Sequence, residues 1–498
     1  MITRREMVKI MVGTPLLFGG QTRYMPDWAS LDARPVPAWW RDAKFGLIVI
    51  WSPDAVPAYA PVHVKGETPY SGWYWHSLEE GKKAKDPSQD GYLTWQFHKR
   101  NYGANFPFFD FAPMFRAEMF DPAQWTDIFV KSGARYILQN TKHHDGFAMW
   151  RSEEANRSWG RPWNAVDIGP KRDVVNDLCQ EGRKRGLEMG IYFSLLEWYN
   201  PIWLADRKRY VAEHLFPQFK DVVRHTEPSA IFTDGEWDMP SAEWRSPELL
   251  SWLFNESPVG DRVVVNDRWG KETRHVHGGY YTTEYTAGMQ ATRHPWEESR
   301  GIGLSYPFNR MEALADYHSS RDLILMLVDL VSRGGNFLLS VGPTADGQIP
   351  LLIQERLLAI GAWLQTHGEA IYGTHALPRS RQWTAGTVPV MEEKDFGVPY
   401  EIRQLVDAPS PGAAGIEAFF TAKGDAVYVL LPHRPGRVVK LDGFAPAATM
   451  RATLLASGET LHARRQGSGI EIEFPSRLEE KVPSSDLYVI KVVGVKSA

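Results

Sequence analysis

One cysteine, Cys179, stands among 498 residues, so no intramolecular disulfide can form. The run Val174-Val175-Asn176-Asp177-Leu178 before it has the spacing of an amphipathic helix, which makes Cys179 a packed small side chain rather than a nucleophile. A surplus of positive charge is also missing. Lys and Arg total 56 against 60 Asp and Glu, a formal net charge of -4. That balance excludes the electrostatic footprint of a nucleic-acid or membrane-surface binder. Long apolar runs are absent too: the one candidate, 10–19, is too short to span a bilayer. It follows Thr3-Arg4-Arg5-Glu6-Met7-Val8-Lys9. Twin arginines before a weakly apolar segment predict a bacterial Tat-type export signal over 1–25 and a periplasmic or secreted protein. No small-x-small site follows, which leaves cleavage open.

What the chain has in quantity is aromatic residues: 20 Trp, 19 Tyr and 23 Phe. Flat rings stack on the C–H faces of sugars, although a large aromatic core would use them equally well. The length calls for more than one core. Between about 45 and 373, short apolar runs alternate with amphipathic ones. Strands are expected at 45–51, 135–140, 190–194, 230–234, 262–266, 280–285 and 336–340. Helices are expected at 122–132, 174–186, 206–225, 249–255, 322–332 and 353–366. So many units in a row predict an α/β protein with a (β/α)8-like TIM barrel over 26–376. Past Leu377 the helical period disappears. Short β-rich runs separated by Gly, Pro, Asp and Ser predict a C-terminal antiparallel β-sandwich over 377–498.

In such a barrel the C-terminal strand ends face the active site. The polar residues there are Lys142-His143-His144-Asp145, Asp234-Gly235-Glu236, Asp267-Arg268-Trp269 and Thr282-Thr283-Glu284. Two carboxylates on different strands are what glycoside hydrolysis needs, one to attack the anomeric carbon and one to protonate the leaving oxygen. His143 and His144 supply partners for sugar hydroxyls, and Arg268 can hold a carboxylate ionised. Each carboxylate alone reads more readily as a helix cap or an ion-pair partner. The paired histidines have no third ligand at conventional spacing, so neither metal nor other cofactor is expected.

Several runs together resemble the α-L-fucosidases of glycoside hydrolase family 29. They are Trp40-Arg41-Asp42-Ala43-Lys44-Phe45-Gly46, Lys142-His143-His144-Asp145-Gly146-Phe147, Phe232-Thr233-Asp234-Gly235 and Val265-Asn266-Asp267-Arg268-Trp269-Gly270, with 296–306 and 334–347 in the same order. The resemblance spans about 30–495. It implies a retaining exo-enzyme acting through a covalent glycosyl-enzyme intermediate on an oligosaccharide or glycoconjugate, with no membrane span and a homo-oligomer left open. It makes Asp234 the nucleophile and Glu284 the acid/base, with Glu297 as competitor. It places sugar contacts at His143, His144 and Arg268, and aromatic walls at Trp73 and Tyr306. Trp51, beside the first strand end, joins the expected substrate contacts.

The sequence also departs from the family. A His followed by Trp-Gly is replaced by Ile50-Trp51-Ser52, and the Glu before Trp73 is Gly72. The Tyr expected before Ser194 is Phe193, and the Trp expected two residues before Asp234 is Phe232. The lost His and Glu help the family read the 4-hydroxyl side of fucose. Their absence opens two alternatives: an α-L-glucosidase or related α-L-glycosidase, and a non-catalytic sugar-binding protein on the same scaffold. Replacement contacts from His63, Glu67 or His76 would instead keep the fucose specificity.

Overall fold

The computed structural model describes residues 23–497 apart from 261, 291, 398–399 and 476–486, so the expected export signal lies almost wholly outside the described residues. Eight parallel strands form one curled sheet. They are β1 (Phe45–Val49), β2 (Tyr136–Lys142), β3 (Glu188–Ser194), β4 (Ala230–Asp234), β5 (Val264–Val265), β6 (Tyr281–Glu284), β7 (Trp296–Gly301) and β8 (Asn336–Val341). The order runs β5-β4-β3-β2-β1-β8-β7-β6. A parallel bridge between Asn266 and Tyr280, with the Tyr280 amide donating to the Val265 carbonyl at 3.1 Å, closes the ring between β5 and β6. This is the (β/α)8-like barrel that the alternation predicts. Strands covered on both faces read as continuous apolar runs, and β1 and β8 are buried at every residue.

The outer helices start where short polar side chains can cap them. Asp121, Asp173 and Ser319 each accept a backbone amide at the first turn of Pro122–Lys131, Val174–Lys184 and Ser320–Ser332. Cys179 packs on the second of these. It is buried and pushed up to about 12 by that burial, which leaves it inert.

Three elements differ from expectation. The helix expected over 206–225 is broken into Arg207–Arg209, a π turn Tyr210–Leu215 and Phe216–Thr226. Pro217 lacks the N–H that a continuous helix would need there. The strand expected over 262–266 contracts to two residues. The third difference is β7, which no apolar pattern announces: Trp-Glu-Glu-Ser-Arg-Gly is nonetheless buried throughout. Its charges find partners inside, Glu298 with Arg300 at 2.7 Å and Glu297 with the Tyr136 hydroxyl.

The C-terminal region is two antiparallel sheets, one of six strands and one of three. Alternation along Ile416–Lys423 divides their cores. Phe420 faces the three-stranded sheet with Val429, Leu441 and Ile472, while Phe419 joins Tyr428 and Leu430 in the barrel's core. A polar knot pins this junction. Buried Asp329, on Ser320–Ser332, receives Arg381 Nε at 2.6 Å, the Tyr400 hydroxyl at 2.6 Å and Arg333 Nη2 at 2.8 Å.

Candidate active site

β4 delivers Asp234 to the barrel mouth, and the turn behind it needs glycine. Gly235 has φ 74°, and a Cβ there would sit 2.9 Å from both Leu196 Cγ and Ser194 Oγ. Asp234 Oδ1 receives Arg268 Nη1 at 2.9 Å and Oδ2 receives the Tyr192 hydroxyl at 2.6 Å. His144 Nε2 stands 3.5 Å from Oδ2, and Arg274 Nη2 lies 4.0 Å from Oδ1. Burial alone would raise this carboxyl's pKa. The His144 contact and the Arg268 charge outweigh it and hold Asp234 well below the usual carboxylate range. It is therefore ionised wherever a nucleophile would have to work.

Glu284 ends β6. Its Oε2 lies 2.8 Å from Arg268 Nη2, an ion-pair contact whose angle falls short of a hydrogen bond, and its Oε1 receives the Tyr306 hydroxyl at 3.0 Å. One fully buried guanidinium thus touches both carboxylates, and Thr282 Oγ1 fixes its Nε at 2.9 Å. That brings the two within reach of a single sugar ring. Glu297 is elsewhere. It is fully buried inside the barrel, among Tyr136 and the other inward residues, is pushed up to about 8 by burial, and does not border the cavity.

Between the two carboxylates and an aromatic wall lies a cavity of about 240 Å³. Trp73, Tyr306 and His143 border it, together with Ile50 and Gly72. His144 and Arg268 stand directly behind it on Asp234. Trp51 does not belong to it. Its side chain points into the helix layer, where it packs edge-on to Phe115 at 4.8 Å and against Trp125 at 5.1 Å, and its Nε1 donates to the Thr344 carbonyl. The two-residue period of β1 explains the correction, because Ile48 and Ile50 take the inward positions and Trp51 the outward one. The replacement contacts also fall outside the cavity. His63 is an exposed partner of Asp316 at 2.9 Å, while Glu67 and His76 line the neighbouring cleft.

Among the bordering residues that carry no site expectation from sequence are Tyr192, Arg274, Trp237, Tyr70 and Phe396. Tyr192 was legible, since it shares the inward register of Ser194 on β3. Trp237, stacked on Trp73 at 6.0 Å, follows the Asp234 motif by three residues. Phe396 had no signal. It arrives from the region beyond the barrel, and its neighbours Asp395 and Gly397 bond the backbone of Glu284 at 2.8 and 3.0 Å. The geometry as a whole is an ionised carboxylate and a second carboxyl on one arginine, facing a sugar-sized aromatic pocket.

The family model described as alpha-L-fucosidase matches residues 18–369. Human tissue alpha-L-fucosidase is 38% identical over 485 residues, covering 95% of this chain and 92% of that protein. The alpha-L-fucosidase of Dictyostelium discoideum is 42% identical over 361 residues, 71% of this chain and 75% of its own. Among solved structures, Thermotoga maritima alpha-fucosidase in complex with fucose aligns with TM-score 0.74 and 32% identity over 95% of this chain and 100% of that one. These comparisons overturn one expectation. The curated relatives from human, macaque and cattle are tissue enzymes, which contradicts the bacterial Tat export and periplasmic location inferred from Arg4-Arg5. Two arginines before a short apolar run are too common a pattern to stand against similarity over most of the chain.

Proposed function

We infer the roles of the pocket residues from one premise: this chain belongs to the α-L-fucosidase family and is a glycoside hydrolase that releases fucosyl residues with retention of configuration. Asp234 is the nucleophile and Glu284 the acid/base. In the first step Asp234 attacks C1 while Glu284 protonates the departing glycosidic oxygen. In the second, Glu284 takes a proton from water as water displaces Asp234 from C1. Glu284 supports this role better than Glu297 because it borders the cavity and shares Arg268 with Asp234. That shared guanidinium is the observation that carries the assignment. His144 and Tyr192 hold Asp234 in position, Trp73 and Tyr306 wall the sugar, and His143 faces its hydroxyls. We assign catalysis to 26–376 and a supporting role to the sandwich at 377–498, with Phe396 contributing to the pocket wall.

The test is substitution at both carboxylates. Asp234→Ala should lower kcat on p-nitrophenyl α-L-fucoside by a factor on the order of 10³ or more while fucose still binds. Azide should restore turnover of Glu284→Ala with the same activated substrate. Restoration in Glu297→Ala but not in Glu284→Ala would transfer the acid/base role.

Ile50 and Gly72 on the pocket wall favour a second reading, hydrolysis of an α-L-glucoside or a related α-L-glycoside. The two readings separate on a panel of p-nitrophenyl α-L-glycosides. A kcat/KM on the glucoside well above that on the fucoside selects the second.

A further inference from the structure

Gly72 lines the pocket and puts no side chain between it and a carboxylic acid behind the wall. A Cβ at position 72 would sit 3.0 Å from Pro307 Cγ, 3.2 Å from Asp54 Oδ2 and 3.5 Å from His143 Cε1. Asp54 is 3% exposed, and its Oδ2 has no hydrogen-bond partner. His143 Nδ1, buried beside the same opening, has none either. Buried polar atoms without partners cost about 1–3 kcal/mol each, so two of them converging on one gap in a ligand pocket call for a ligand group between them.

The acid is held in place on its other side. Ser52 Oγ lies 2.9 Å from Asp54 Oδ1 and 2.9 Å from Asp145 Oδ2. A serine has one proton to give, so both contacts are hydrogen bonds only if one carboxyl is itself protonated. Burial, with the Asp145 charge next to it, pushes the Asp54 carboxyl far up, which makes it the natural holder of that proton. A neutral acid can remain buried without a cation and still exchange hydrogen bonds with a hydroxyl. Ser52 and Gly72 both stand at positions where the sequence departs from its family, and here they serve the same side chain.

The gap's position selects the hydroxyl. One flank runs from Glu284 through Tyr306 to Pro307, the other from Asp234 through His144 to His143. Around the ring of pocket residues the gap therefore lies where the two flanks meet, at the end away from the carboxylate pair. In a pyranose with C1 over Asp234, the carbon opposite is C4. We propose that Asp54 is a specificity-determining residue whose Oδ2, with His143 Nδ1, binds the sugar's 4-hydroxyl through the opening at Gly72. This rests on the hydrolase reading of the pocket.

The test compares kcat/KM for the p-nitrophenyl α-L-fucoside or α-L-glucoside, whichever is turned over faster, with that for its own 4-deoxy analogue. Wild type should prefer the 4-hydroxy substrate by about 100-fold, as sites built to bond a hydroxyl do. Asp54→Ala should collapse that ratio to within about threefold, and Asp54→Asn, which keeps hydrogen-bonding atoms, should recover part of it. Gly72→Ala, which leaves Asp54 intact and covers the opening, should also collapse the ratio. A ratio unchanged in both Asp54→Ala and Gly72→Ala overturns the proposal, as does a wild type indifferent to the 4-hydroxyl. Turnover of neither glycoside would instead sink the hydrolase reading. The Kd ratio of L-fucose to 4-deoxy-L-fucose, measured by calorimetry on the same three variants, then decides the role of Asp54 by the same criterion.

Discussion

Tyr192 gives Asp234 a hydrogen bond at 2.6 Å, and its own pKa is raised well above the phenol range by burial and by the neighbouring carboxylate. It therefore remains a donor at any working pH, and with Arg268 and His144 it keeps Asp234 ionised. Hydrogen bonds to charged groups are worth about 1.5–3 kcal/mol, so Tyr192→Phe should cut kcat/KM by about 10- to 100-fold. The pH profile separates positioning from packing. With a donor gone, the Asp234 carboxyl is less depressed, and the acid limb of kcat/KM should move to higher pH. A reduced rate with an unmoved limb would mean that the ring only fills space. The two tryptophans make a similar contrast. Trp73→Ala should raise KM with little change in Tm. Trp51→Ala, which empties a site between Phe115 and Trp125, should instead cost about 3–5 kcal/mol of stability, read as a lower Tm with KM little changed.

At the scale of elements, the junction between the barrel and the sandwich hangs on Asp329. It is fully buried, and its carboxyl is held below the usual range because Arg333 and Arg381 outweigh the cost of burial. Asp329→Ala strands two buried guanidinium groups and the Tyr400 hydroxyl, so it should destabilise by about 3–5 kcal/mol. Asp329→Asn keeps part of the bonding and should cost less. Denaturant unfolding of the two variants checks the order. This knot was invisible in sequence, because Asp329, Arg381 and Tyr400 come from three separated segments. The barrel itself was legible wherever strands are apolar runs, as in β1, β4 and β8. It failed at β7, where buried Glu298 and Arg300 neutralise each other on one strand and Glu297 bonds Tyr136 across the barrel. The catalytic candidates were legible because Asp234, Arg268 and Glu284 lie at strand ends. Phe396 was not, since a long-range approach leaves no local pattern, and Trp51 was misplaced because the inward register of β1 belongs to Ile48 and Ile50.

The whole molecule carries its buried charge unevenly, and that gives its stability a direction in pH. Asp234, Glu197 and Asp329 have depressed pKa values, so what they contribute is present above the unfolded carboxylate range and is lost as pH falls. Glu297 and Glu312 have the opposite sign, raised by burial to about 8 and about 7. Glu297 isolates the second class. Unfolded, it loses its proton near 4.5; folded, near 8. The folded state holds the proton more tightly, so this contribution is full below pH 4.5 and disappears as pH rises to 8. Glu297→Gln has no proton to lose and can still accept from Tyr136. Its Tm minus that of wild type should therefore climb from pH 5 to pH 8 and level off above, by about 1 °C for each kcal/mol recovered in a chain of this length. Parallel Tm curves across that window would mean that Glu297 titrates like an exposed carboxyl, and the alkaline sensitivity would then have to come from Glu312 and the Asp54–Asp145 pair.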